Sequence, residues 1–263
     1  MKIKLIAFDL DGTIFTNKVS EKVKLAFSEL QKKNIKLLPI TGRSLKSTLE
    51  ILDMANIQNR DLTVLTTGAL VQNLNTKQIL NENFLTVADF IKLKKYETEN
   101  IHIYVYTTEF LYYSLLSDEF LSDASALKDP IKAITDQNFI GNICRINFMG
   151  KEEELNKFKE KYLSKFEKDY YAISNIPTSL ELLSKNSSKA NGLKFIMSYY
   201  GLNKDEILAI GDGNNDISML DIVTNSVAMG NASEIVKSHA KYVTKSVYDD
   251  GFYEILKELK ILD

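Results

Sequence analysis

Val23, Ala26, Phe27 and Leu30 recur at i, i+3, i+4 and i+7, and predict a helix over residues 20–33 with Ser20 as its cap. Ahead of it, Ile3, Leu5, Ala7 and Phe8 read as a buried strand that runs into Asp9 and Asp11. Side chains alternate along a strand, which predicts that the two carboxylates share a face. Residues 35–40 (IKLLPI) read as a second strand, followed by Thr41-Gly42-Arg43 and a helix from Ser44 to about Asn56. LTVLTTG at 62–68 reads as a third strand. Strand and helix therefore alternate, with small polar residues at each strand end, as in a doubly wound parallel sheet.

The pattern changes near residue 80. A helix is expected over 86–96, and IHIYVY (101–106) alternates strictly. Ile101, Ile103 and Val105 form one face; His102, Tyr104 and Tyr106 form the other. FLYYSL (110–115) reads as its hairpin partner, whereas 117–138 is rich in Asp and Ser and only weakly periodic. ICRINF (143–148) is a strand with Arg145 and Asn147 on one face. A helix carrying Leu155, Phe158, Tyr162 and Phe166 follows, then strands YYAIS and SLELLS. The polar strand faces either select a leaving group or meet solvent.

Alternation resumes near residue 189. Leu193, Ile196, Met197 and Tyr200 mark a helix, EILAIGD (206–212) a buried strand ending in Gly-Asp, and Asn214 to Asp221 the start of another helix. SVAMG (226–230) and KYVT (241–244) read as short strands, and Phe252, Ile255, Leu256 and Leu259 as a last amphipathic helix. The resulting parse is a discontinuous Rossmann-like α/β core, residues 1–81 and 186–263, interrupted by an α+β cap at 82–185.

At 263 residues, 44% hydrophobic and 26% charged, the chain has the balance of a globular protein with a sizeable core. A net charge of -2 argues against nucleic acid or anionic membrane as partners. One cysteine, Cys144, excludes an intrachain disulfide, and with two histidines it leaves little for zinc. The N-terminal apolar run, broken by Lys4 and ended by Asp9, is too short for a signal peptide, and no run approaches a membrane span. A cytoplasmic protein is the expectation; its oligomeric state is not legible.

In a parallel sheet the strand ends converge. This predicts a meeting of Asp9/Asp11, Thr41/Gly42, Lys189 and Asp212/Asn215/Asp216. Adjacent carboxylates repel unless a cation lies between them, and Mg²⁺ prefers oxygen ligands. Such a set suits phosphoryl transfer. Asp9 can attack phosphorus, and Asp11 can give a proton to the leaving oxygen and later take one from water. Asp9, the Asp11 main-chain carbonyl and Asp212 can hold the metal. Thr41, Gly42, Lys189 and Asn215 can bind phosphate oxygens. Bland readings stand beside these: an Asp-Gly turn, a turn at Thr41, a solvated surface lysine at 189. A calcium loop at GDGNND would need a Glu where the chain has Val223.

DLDGT, the TGR after the second strand, Lys189 in SKANGL and GDGNNDISML together resemble the haloacid dehalogenase (HAD) superfamily of phosphatases. VAMGNA (227–232) and Tyr-Asp-Asp-Gly (248–251) are similar to its Cof-type (IIB) branch. The resemblance implies a Mg²⁺-dependent phosphohydrolase acting through an aspartyl-phosphate on a small phosphorylated metabolite, a sugar phosphate or a phosphorylated cofactor. It implies the same roles for Asp9, Asp11, Thr41, Gly42, Lys189, Asn215 and Asp212. It adds Leu10 as a phosphate binder and Asp216 as support behind the metal ligands. Arg43, Thr67 and Arg145 become candidates for substrate selection. Where the family often has Asn-Gly-Ala, this chain has Thr67-Gly68-Ala69. A sugar phosphomutase and a non-catalytic phospholigand sensor are the alternatives.

Overall fold

The computed structural model describes residues 2–57, 60–135 and 139–262. In chain order the first elements are β1 (Leu5–Phe8), α1 (Glu21–Lys32), β2 (Lys36–Pro39), α2 (Leu45–Met54), β3 (Leu62–Leu65), β4 (Leu70–Asn73) and β5 (Ile79–Glu82). Then come α3 (Val87–Lys94), β6 (His102–Thr107), β7 (Leu111–Tyr113), α4 (Asp118–Leu127), β8 (Ile131–Ala133), β9 (Ile143–Met149), α5 (Glu152–Asp169), β10 (Tyr170–Ile173) and β11 (Ser179–Ser184). The chain closes with α6 (Lys189–Tyr200), β12 (Ile207–Gly211), α7 (Ile217–Leu220), β13 (Asn225–Ala228), α8 (Glu234–Ser238), β14 (Tyr242–Val243) and α9 (Gly251–Glu258). Two compact units result: residues 1–42, 48–81 and 188–263, and residues 43–47 with 82–187.

The first unit is built on a parallel sheet in the order β14-β13-β12-β1-β2. All four residues of β1 are buried. Ile6 and Phe8 join one apolar cluster, Leu5 and Ala7 the other. Both sheet faces are thus covered, which is why this strand reads as a continuous apolar run. On the first face Phe8, Phe27 of α1 and Phe252 of α9 pack with ring centroids 5.2 to 5.7 Å apart. Ser20 caps α1 by accepting the Val23 amide at 3.2 Å.

The third strand departs from the alternating parallel pattern. β3 pairs antiparallel with β4 in a separate sheet ordered β3-β4-β5, and meets the end of β2 through a parallel bridge between Ile40 and Val64 and a hydrogen bond from the Thr63 hydroxyl to the Pro39 carbonyl at 3.2 Å. β4 and β5 went unread because turn-rich Asn73 to Gln78 lies between two very short apolar runs.

The second unit carries a sheet ordered β10-β11-β9-β6-β7-β8, antiparallel except where β7 meets β8. Ile101, Ile103 and Val105 enter one cluster with Phe148, Phe158 and Phe166. The opposite face is buried too, apart from a half-buried His102 at the strand start, which overturns the solvent-exposed reading for the rest. Tyr104 stacks on Phe120 of α4 at 4.6 Å, and Tyr104, Tyr106, Arg145 and Asn147 are all buried. Cys144 is a buried thiol on β9. No helix among the described residues is long and apolar enough to cross a membrane.

Candidate active site

β1 ends at Phe8, so Asp9 and Asp11 lie beyond the strand, with a bend at Leu10 between them and a turn following, and do not share a strand face. Asp9 keeps the sheet pairing for one more bond, its amide donating to the Ile210 carbonyl at 3.0 Å. The chain then wraps the Leu10 carbonyl, which accepts from the amides of Ile14 and Phe15 at 3.0 and 2.9 Å. The Leu10 side chain belongs to the core, leaving only its backbone to face a ligand. Asp9 is buried and Asp11 exposed. Gly12 sits at φ +71°, and a Cβ there would lie 2.1 Å from Asp212 Oδ2. Glycine is needed twice over, for its left-handed backbone and for the close approach of that carboxylate.

Lys189 is the first residue of α6, and Ser188 caps the helix by accepting the Asn191 amide at 3.1 Å. Its side chain has no exposed surface. Nζ contacts Asp9 Oδ1 at 2.7 Å and donates to Asp216 Oδ1 at 2.6 Å. The surface-lysine reading is overturned. Asp216 is fully buried, and its Oδ2 accepts the amides of Asp212 and Gly213 at 2.9 Å each. Asp212 Oδ1 accepts the Thr13 hydroxyl at 3.0 Å, and its Oδ2 accepts Asn231 Nδ2 at 3.1 Å. Ser218 ties the last loop to α6: its hydroxyl donates to the Asn215 carbonyl at 3.3 Å and accepts the Ala190 amide at 3.3 Å.

One cation among this many acids sets the electrostatics. Burial pushes the Asp9 carboxyl well above the usual carboxylate range; Lys189 pulls it down, and Asp216, Asp212 and Asp11 push it up. Burial also pushes Asp212 up to about 7, helped by Asp216 and opposed by the Thr13 hydrogen bond and Lys189. Burial alone would lower Lys189, but attraction to Asp216 and Asp9 outweighs it and raises the ammonium above the ordinary lysine value.

Asp9, Asp212 and Asp216 each offer an oxygen, and these atoms lie within 4.8 Å of one another. An all-oxygen set of this kind can hold a hard divalent cation, whose charge would relieve the crowding that lifts Asp9 and Asp212. Asp216 gives one oxygen to the Lys189 ammonium and the other to two amides, so it braces the other two, whereas each Asp212 oxygen accepts a single neutral donor and keeps a lone pair.

Thr41 is buried at the end of β2; its amide donates to Val64 and its carbonyl accepts Thr67, both at 2.9 Å. Gly42 follows it, three residues ahead of α2. Thr67 has φ 55° and a buried hydroxyl with no hydrogen-bond partner. Arg43 and Arg145 both lie in the second unit. Arg43 donates to the Ala126 carbonyl at 2.9 Å. Arg145 pairs with Glu181 at 3.2 Å and Asp123 at 3.7 Å and stacks on Tyr106 at 4.3 Å. The residue reading did not assign Thr13, Ser188, Ser218 or Asn231. Thr13 stands inside DLDGT and Asn231 inside VAMGNA, and a hydroxyl or amide fixed within such a motif was the signal available.

The comparisons with known proteins agree over nearly the whole chain. A family model described as haloacid dehalogenase-like hydrolase matches residues 6–256. Phosphatase YwpJ of Bacillus subtilis (strain 168) is 27% identical over 286 residues, covering 98% of this chain and 100% of the relative. A solved phosphatase of the haloalkanoate enzyme superfamily from Bacteroides thetaiotaomicron is 27% identical with a TM-score of 0.83, covering 99% of this chain and 96% of its own. A sugar phosphatase of HAD subclass IIB shares the fold, with a TM-score of 0.82 at 22% identity over 98% of this chain and 100% of its own.

Proposed function

This chain belongs to the haloacid dehalogenase-like hydrolases and is a phosphohydrolase; on that premise we propose that it hydrolyses small phosphomonoesters through an aspartyl-phosphate on Asp9. The carrying observation is the buried line Asp9–Lys189–Asp216 beside Asp212 at the ends of β1 and β12. Lys189 neutralises part of the charge between Asp9 and an approaching phosphate dianion, and holds the Asp9 carboxylate in a fixed orientation. Asp9 forms a bond to phosphorus as the bond from phosphorus to the ester oxygen breaks, and Asp11 gives that oxygen its proton. Asp11 then takes a proton from the water that attacks the aspartyl-phosphate, which returns phosphate and free Asp9.

Asp9, Asp212 and the Asp11 main-chain carbonyl are the groups that would hold Mg²⁺. When bound, the metal supplies positive charge against the phosphate oxygens. Asp216 keeps Lys189 and the Asp212–Gly213 backbone in place rather than binding metal. Thr41 and Gly42 offer a hydroxyl and an amide to phosphate ahead of α2, with the Leu10 backbone and Asn215 completing the set. Sugar phosphates are the favoured substrate class, because one neighbour of the same fold is a sugar phosphatase. Phosphorylated cofactors remain within the class. Thr67, Arg43 and Arg145 are retained as selectors of the group that leaves, though Arg145 already has carboxylate partners of its own.

The test is turnover of p-nitrophenyl phosphate and of a panel of phosphorylated metabolites with Mg²⁺. The wild type is expected to release phosphate, and Asp9→Asn to lose at least about a thousandfold in kcat. Undiminished turnover in Asp9→Asn would sink the reading.

A further inference from the structure

The motif VAMGNA takes no part in the chemistry above, yet it joins the acidic loop to the residue just ahead of Tyr-Asp-Asp-Gly. Asn231 is the point of contact. Its Nδ2 donates to the Gly12 carbonyl at 2.9 Å and to Asp212 Oδ2 at 3.1 Å, and its Oδ1 accepts the Val247 amide at 2.9 Å. The amide orientation is fixed by its partners, since a backbone N–H can only donate and a backbone carbonyl can only accept. One side chain thus spans the turn after β1, the loop after β12 and the segment ahead of α9. Gly230 lets that segment approach: its amide donates to the Lys245 carbonyl at 2.9 Å, and a Cβ would lie 2.7 Å from the Ser246 nitrogen.

With Thr13 on Oδ1 and Asn231 on Oδ2, each oxygen of Asp212 has one donor, so the plane of the carboxylate is set from both sides. We propose that Asn231 is a positioning residue for the metal, orienting Asp212 and the Gly12 carbonyl, and that the Val247 amide holds Asn231 in that pose. The proposal rests on the reading of Asp212 as a metal ligand. It adds that metal affinity depends on a side chain that binds no metal and on a backbone amide beyond β14.

Mn²⁺ binding to the full-length protein, followed by electron paramagnetic resonance of the free ion, tests this without reference to turnover. Asn231→Ala is expected to weaken Mn²⁺ about 10- to 100-fold, the usual effect of removing a group that orients a ligand. Val247→Pro gives a second probe. Val247 opens a short 3₁₀ turn, Val247–Asp249, and Ser246 before it is extended at φ -70° and ψ 164°. Proline fits such a first position and the residue before it is already suitable, so the backbone path is kept. The N–H is lost and a ring carbon takes its place against Asn231 Oδ1, which displaces that side chain. It is expected to weaken Mn²⁺ within the same range of about 10- to 100-fold. In both variants saturating Mn²⁺ is expected to restore kcat to within about threefold, because a positioning role acts through occupancy. Wild-type Mn²⁺ affinity in Asn231→Ala overturns the proposal, as does a kcat loss that Mn²⁺ does not rescue. Should Asn231→Ala not fold, unchanged affinity in Val247→Pro overturns it. Wild-type affinity in Asp212→Asn would instead remove the metal-ligand reading beneath it.

Discussion

Lys189 lies between two carboxylates with none of its side chain exposed, and removing its charge leaves Asp216 buried without its cation. Stripping one partner from a buried pair costs about 3–5 kcal/mol. Lys189→Met is therefore expected to lower the denaturant midpoint sharply as well as abolish turnover. Asp9→Asn should do the reverse to stability. Its carboxyl is held well above the usual range, so the ionised form costs more in the fold than in the unfolded chain, and Lys189 keeps Asp216 as its partner when the Asp9 charge is removed. Removing the charge should raise Tm of the metal-free protein by about 2–4 °C for each kcal/mol relieved, while ending catalysis. Melting both variants in chelator at pH 7 checks the opposite signs. The identity of Lys189 was legible as chemistry and illegible as burial. SKANGL by itself is compatible with a solvated lysine, and only the arrival of Asp9 and Asp216 from other strands encloses the ammonium. Gly12 shows the same limit. A turn accounts for its φ, but the 2.1 Å approach of Asp212 comes from far along the chain.

The turn after β3 concentrates backbone strain. Thr66 and Thr67 both have positive φ, 48° and 55°, and both hydroxyls are buried without a partner. A left-handed conformation costs an L-residue about 1–2 kcal/mol, and β-branched residues suit it worst. Asn tolerates it, so Thr67→Asn should stabilise the protein by about 1 kcal/mol, readable as a rise in urea midpoint at unchanged slope. In the second unit, Glu97 joins α3 to β6 and β7 by accepting from Lys94, Ser114 and the Ile103 amide. Burial would raise its carboxyl, but these hydrogen bonds outweigh it and hold the group below the ordinary glutamate range. A depressed folded value gives stability that is present above the ordinary value near 4.3 and is lost as pH falls through the lower one. Glu97→Gln should remove about 1 kcal/mol at pH 7, allowing for partial exposure, and flatten the acid limb of a stability–pH curve. Elements with broad apolar stripes, such as α1, α5 and β9, were readable in the sequence. The α4 helix was not, because it buries only Phe120 and Ala124, and its ten residues leave no sustained period. β14, though only two residues long, falls inside KYVT, the stretch that reads as a short strand.

At the scale of the whole molecule, the two units have separate apolar clusters. Leu85, Phe90, Ile103, Phe148, Phe158 and Leu182 form one entirely within the second unit, while β1 divides its side chains between the two clusters of the first. The acidic cluster belongs wholly to the first unit. A ligand stabilises only the state that binds it, by about 2.7 kcal/mol at a hundred times its dissociation constant. For a chain of this size that amounts to about 5–10 °C in Tm. Mg²⁺ should therefore raise the transition of the first unit and leave that of the second in place. Differential scanning calorimetry of the full chain should show two components that separate as Mg²⁺ is added, and a single component in chelator if their midpoints coincide. A fragment of residues 82–187, melted alone, identifies the component that does not move. Asp212→Asn should cancel the separation. Equal shifts of both components would mean that the units unfold as one cooperative body, and that the segment between the halves of the first unit does not carry its stability independently.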